Sequence, residues 1–147
     1  MLNLNYILKN DGWAVLEIDN GEEFLQLNIS YLNDSLQSLA QSAIDLKRKS
    51  EKTVIFIDEP GEHWLVLKKN DLNIINFELR FYQNYASWNL INKENYTVIL
   101  KGETTLPKYI NEVRKNLIQI FNEFGIKKYK EMWGKHEFPI KEYDTLK

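Results

Sequence analysis

Two hydrophobic periods alternate along the chain, and the points where one gives way to the other divide it into elements. Residues 12–18 are rich in β-prone side chains, Asp19-Asn20-Gly21 is a turn signal, and Leu25, Leu27 and Ile29 then alternate with Gln26 and Asn28. A period of two suits a strand with one dry face and one wet face, so the pair predicts a hairpin. From Leu32 the spacing lengthens. Leu32, Leu36, Leu39, Ala43 and Leu46 recur at steps of four and three, which predicts an amphipathic helix with Ser30 or Asn33 as its N-cap. The run Lys47-Arg48-Lys49 suits the negative end of that helix's dipole.

Val54-Ile55-Phe56-Ile57 is a short continuous apolar run, the mark of a central strand, and Asp58-Glu59-Pro60-Gly61-Glu62 turns the chain into His63 to Leu67. Ile75, Phe77, Leu79 and Phe81 alternate with Asn76, Glu78 and Arg80, adding a third strand to a meander. Residues 83–95 read as a loop carrying Tyr85 and Trp88, and Tyr96 to Leu100 as a further strand. A stripe of Leu106, Tyr109, Ile110, Val113, Leu117, Ile120, Phe121 and Phe124 predicts a helix over 106–124. Thr104 or Thr105 caps it, Pro107 fits its first turn and Gly125 stops it. A short helix follows over 127–133, and Phe138-Pro139 begins a tail that packs back near Trp133.

Hairpin-linked strands with a few helices between them predict an α+β fold in one domain, residues 1–147. Its sheet is largely antiparallel, built from hairpins and a meander, with one helix inserted after the first hairpin and a long plus a short helix at the C-terminus. Hydrophobic residues at 44% and charged residues at 27% suit an ordinary globular core. No apolar run approaches membrane-span length and the N-terminus lacks signal-peptide character, so a cytoplasmic protein is expected.

Charge and chemistry refine the expectation. The net charge of −2 conceals an acidic half: residues 1–62 hold 11 acidic and 5 basic residues, residues 63–147 hold 10 acidic and 14 basic. An acidic region argues against nucleic acid as the partner, because that affinity rests on Lys and Arg at phosphates. Without cysteine there are no disulfides, thiolate metal sites or thiol nucleophiles. His63 and His136 are the only histidines, and Ile140 stands where a helical zinc motif starting at His136 would need its second histidine. Glycines are too dispersed for a phosphate loop. No catalytic residue, metal or cofactor is therefore expected. Asp58, Glu59 and Glu62 form the best carboxylate cluster, open to three readings: an acidic turn, a partner contact, or a site that holds a hard cation or acts as an acid and base pair. Tyr31, Tyr85, Trp88 and Trp133 are the aromatic residues nearest loops or termini.

Four segments carry a resemblance: Ser30-Tyr31-Leu32 with Asp34-Ser35-Leu36 and Leu39; Glu59-Pro60-Gly61-Glu62 with Trp64; Tyr129 with Trp133; and Phe138-Pro139. Together they are similar to a family of small, mostly uncharacterised bacterial proteins, over roughly residues 12 to 147. Proteins of this size and type resemble the immunity proteins encoded beside secreted bacterial toxins. The resemblance implies a non-enzymatic protein that neutralises a cognate toxin by direct binding. An acidic inhibitor suits a nuclease toxin with a basic groove, and Asp34, Glu59, Glu62 and Trp88 are the expected partner-binding residues. The competing expectations are a small-ligand or regulatory module with an apolar pocket, and an enzyme using Glu59 and Glu62.

Overall fold

A computed structural model describes residues Met1–Lys147 as seven strands and three helices: β1 (Asn3–Leu8), β2 (Trp13–Asp19), β3 (Phe24–Ser30), α1 (Ser35–Asp45), β4 (Glu51–Ile57), β5 (Glu62–Lys69), β6 (Ile74–Tyr82), β7 (Thr97–Thr105), α2 (Leu106–Met132) and α3 (Ile140–Leu146). The strands form one sheet in chain order, every neighbouring pair antiparallel. The fold is therefore α+β, with the helix after the third strand and the long and short helices at the C-terminus. No helix is long and apolar enough to cross a membrane.

Alternation decides which face is dry. Leu4, Tyr6 and Leu8, then Leu16 and Ile18, Leu27 and Ile29, Val54 and Phe56, Leu65 and Leu67, Phe77 and Leu79 project to one side and join buried residues of all three helices in a single core. A second, smaller layer lies on the opposite face, where Ile57, Val66, Tyr82 and Ala86 are buried apart from that core.

The strand missing from the sequence reading is β1. Its outer edge would expose unpaired backbone groups, and α2 covers it with side chains. Glu112 Oε1 accepts from Leu4 N at 2.9 Å, Asn116 Oδ1 accepts from Tyr6 N at 2.8 Å, and Asn116 Nδ2 donates to Leu4 O at 3.0 Å. Lys108 and Lys115 both pair with Glu112, at 3.4 and 3.0 Å. Burial alone would raise the Glu112 pKa, but the Leu4 N–H and the two lysines overcome it and hold the carboxyl below its ordinary value.

Three boundaries differ from expectation. The N-cap of α1 is Asp34, whose side chain accepts from Gln37 N, instead of Ser30 or Asn33; Leu32 precedes the helix and is exposed. Asn33 instead donates to Ile55 O at 2.6 Å, closing part of the β4 edge. Lys47, Arg48 and Lys49 lie just past the helix end. The expected tail after Phe138 is a helix, α3, whose Tyr143 and Leu146 are buried. By contrast Gly125 interrupts α2 as expected, with φ 71° and ψ −176°, and a second helical piece runs on to Met132.

Candidate partner-binding site

The outer face of β4, β5 and β6 positions the site. Register places Ile57, Glu62 and Tyr82 in one row across these strands, and Ile55, Trp64 and Arg80 in the next. Asp58 to Gly61 forms the tight turn between β4 and β5, closed by Asp58 N donating to Gly61 O at 3.0 Å. Gly61 has φ +98°, and a Cβ there would sit 2.8 Å from the Tyr82 carbonyl oxygen, so both backbone conformation and space call for glycine.

Glu62 is fully buried. Its Oε1 accepts from Trp64 Nε1 at 3.0 Å and from Ser87 N at 2.7 Å, and its Oε2 from Ser87 Oγ at 2.6 Å. A buried carboxylate demands donors, and here all three are neutral dipoles. The consequence is mechanical: Glu62 fastens the loop over 83–95 to the sheet. Tyr82 Oη adds a bond to Lys93 O at 2.7 Å, and Tyr85 Oη reaches Asp58 O at 3.4 Å. Trp64 packs on Tyr82 with ring centroids 4.8 Å apart, Tyr82 on Tyr96 at 5.7 Å, and Arg80 lies 4.3 Å over the Tyr96 ring.

On that platform Ala86–Trp88 make one short 3₁₀ turn, which stacks Trp88 against Tyr85 at 4.5 Å and leaves Trp88 49% exposed. Leu90 beside it is 61% exposed. Glu59 is exposed at the tip of the neighbouring turn. Burial raises the pKa of the Tyr85 hydroxyl, and Glu59, Asp58 and Glu62 raise it further, which places the acidic turn and the aromatic pair in one electrostatic neighbourhood. Glu59 and Trp88 thus share a surface, and Glu62 lies buried beneath it, bonded to the loop that carries Trp88. Glu59 is exposed at the turn while Glu62 is buried under the loop, so the two carboxyls sit in different environments.

Asp34 belongs to a different constellation. Its Oδ1 accepts from Trp133 Nε1 at 3.3 Å and its Oδ2 lies 3.9 Å from His136 Nδ1. His136 Nε2 is 2.7 Å from Tyr31 O, and because a carbonyl only accepts, that nitrogen donates and is not free to act as a base. Trp133 is fully buried, edge-on to Tyr6 at 6.1 Å, and Phe138 and Pro139 are buried with it, as the tail packing predicts. The segments around Asp34, Trp133 and Phe138-Pro139 meet in this knot, and Glu59 to Trp64 forms the Glu62 anchor. No three His, Asp or Glu side chains are grouped to hold a metal.

Sequence reasoning missed Ser87 and the Arg80–Tyr96 pair. Trp64, two residues along a strand from Glu62 and therefore on the same face, was the available local signal. No family model matches the chain, and no curated protein or solved structure is significantly similar to it.

Proposed function

We propose that this chain is an immunity-type binding protein that neutralises a cognate bacterial toxin by direct contact through the surface formed by the Asp58–Gly61 turn and the 83–95 loop. The observation that carries this reading is the buried Glu62 clamp, because it holds an exposed Trp88 and an exposed Glu59 in a fixed relation before any partner arrives. Preordering of this kind lowers the entropic cost of association, and a half-exposed tryptophan flanked by a carboxylate is the anchor-and-rim composition of an interface hot spot. The acidic bias of residues 1–62 suits a toxin with a basic active-site groove, such as a nuclease, since opposite charge accelerates encounter.

The test is binding and protection together. The purified chain is titrated against any secreted-toxin domain that its neighbouring genes encode, and cells expressing both are scored for growth. Trp88→Ala is expected to weaken binding by about 2 kcal/mol, roughly thirtyfold, chiefly through faster dissociation. Glu59→Lys slows association several-fold at low salt and little at high salt. Absence of protection, or binding indifferent to both substitutions, overturns the reading.

A further inference from the structure

The strand edges of this sheet are treated unequally. The edge of β1 is bonded by Glu112 and Asn116, and α1 packs along β4, where Asn33 bonds Ile55. The outermost strand β7 has a register irregularity at Leu79/Arg80, carries Lys101, and accepts from Asn20 at the Lys101 carbonyl. Covering, bulges and lysines are the usual ways to blunt an edge. Strand β3 has none of them. It meets β4 through a single pairing, Ser30 with Ile57. Two residues further back the same register would bring Asn28 beside Glu59, but there the chain has already turned away into β5.

The hydrogen-bond phase of β3 follows from its ends. Tyr31 N donates to Gly12 O and Asn20 N to Glu23 O, so the backbone of Leu25, Leu27 and Ile29 faces β2. The N–H and C=O groups of Phe24, Gln26 and Asn28 therefore point the other way, and none has a bonding partner in the chain. All three residues are exposed, Phe24 by 59%. The bare edge spans about 17 Å at roughly 3.4 Å per residue. Where it nears the Asp58 turn, a groove of about 310 Å³ opens, lined by Trp13, Val15, Asn28 and Asp58, with Lys9 its one cation. Carboxylates flank the bare strand along its whole length, with Lys115 the one cation lining the hollow beside Glu17, Asp19 and Phe24. Glu22 and Glu23 lie at the start of the strand, Glu17 and Asp19 on the same face of β2, and Asp58 and Glu59 at the far end; none of the six is in an ion pair.

We infer that the β3 edge from Phe24 to Asn28 takes an extended, lysine- or arginine-bearing segment of a protein partner as an added antiparallel strand. Backbone pairing supplies the adhesion and the acidic rim selects the basic segment. A second copy of this chain is disfavoured as occupant, because edge-to-edge pairing would set one acidic rim against another. The inference rests on the reading of the chain as a partner-binding protein and extends that surface beyond Glu59 along β3.

The experiment uses the full chain and two short blocked peptides, one alternating lysine with valine and one alternating glutamate with valine, followed by backbone-amide NMR. The lysine peptide is expected to shift the Gln26 and Asn28 amides and slow their hydrogen exchange, while the glutamate peptide leaves them unchanged. Gln26→Pro removes the central outward N–H without touching the β2 ladder, and is expected to weaken the lysine peptide about tenfold. Glu22→Lys with Glu23→Lys is expected to weaken it several-fold at low salt only. No binding, equal binding of both peptides, unchanged affinity in Gln26→Pro, or concentration-dependent dimerisation through the same amides overturns the inference. None of these results bears on the dependence of toxin binding on Trp88, so failure here is separable from failure of the functional reading.

Discussion

Glu62 and Glu112 are both buried carboxylates, and each binds a separate piece of chain to the sheet. Glu112 sits on α2 and is satisfied by one backbone N–H and two lysines, whose side chains are 31% and 55% exposed. Glu62 sits on β5 and is satisfied by an indole N–H, a backbone N–H and a hydroxyl, without a cation. The first joins α2 to the first strand, 108 residues apart in sequence, and so closes the fold. The second joins a loop to a strand and shapes only a surface. Burial of the same group therefore serves global stability in one place and local order in the other, and the difference lies in what the tethered segment carries with it.

The widest separation between the two comes from truncation. Glu112→Ala orphans Leu4 N–H and removes the charge that Lys108 and Lys115 share, so a loss of about 3 kcal/mol is expected in chemical denaturation. Glu62→Ala is expected to cost about 2 kcal/mol, since the freed Ser87 groups regain water when the loop lifts. Its signature is local: amides of residues 84–90 exchange faster while those of β1 do not. Uniform loss of protection in both variants would erase the distinction. Gly61→Ala, which forces a side chain against the Tyr82 carbonyl at a positive φ, is expected to mimic Glu62→Ala at about 1–2 kcal/mol.

This division also marks what the sequence could convey. Alternation in Leu25 to Ile29 and in Ile75 to Phe81 displayed the hairpin and meander because a half-wet sheet writes its period locally. The stop at Gly125 was legible for the same reason, as was the inward packing of Trp133 and Phe138. β1 was not, because Asn3 and Asn5 are poor strand formers and the strand is secured by residues on α2. Ser30, Asn33 and Asp34 all have capping side chains, and the one that caps, Asp34, also accepts from Trp133, 99 residues away. At the site, Glu59 and Trp88 were readable as exposed, being turn and loop residues. The role of Glu62 was hidden, since Ser87 stands 25 residues on and no spacing rule links a strand carboxylate to a loop hydroxyl.

Conservative replacement is a finer probe. In Glu62→Gln the Ser87 hydroxyl can rotate to accept from the new amide, so about 1 kcal/mol is lost and the loop stays docked. In Glu112→Gln the Leu4 bond survives but the lysine attraction does not, and the loss is again about 1 kcal/mol at low salt. Salt then tells them apart. At about 1 M salt, where screening acts within roughly 3 Å, the deficit of Glu112→Gln shrinks and that of Glu62→Gln does not.

Acid gives the smallest and most selective effect, because the titrations fall in separate windows. Glu112 has a folded pKa below its ordinary 4.5, so its contribution is complete above that value and is lost as pH falls through the folded one. His63 behaves in the complementary way. It is buried beside Phe81 at 5.2 Å with Nδ1 unpartnered, and burial lowers its pKa below 6.5 despite the opposing pull of Asp58. The unfolded chain therefore takes up a proton near pH 6.5 that the folded chain refuses, and stability declines from there until the folded pKa is reached. His63→Phe should flatten the decline that begins near pH 6.5 and leave the drop below 4.5 in place, whereas Glu112→Gln should do the reverse. A His63→Phe curve that still declines just below pH 6.5 would show that another group governs that window, and would detach the β5 strand, which also carries Glu62, from any control by mild acid.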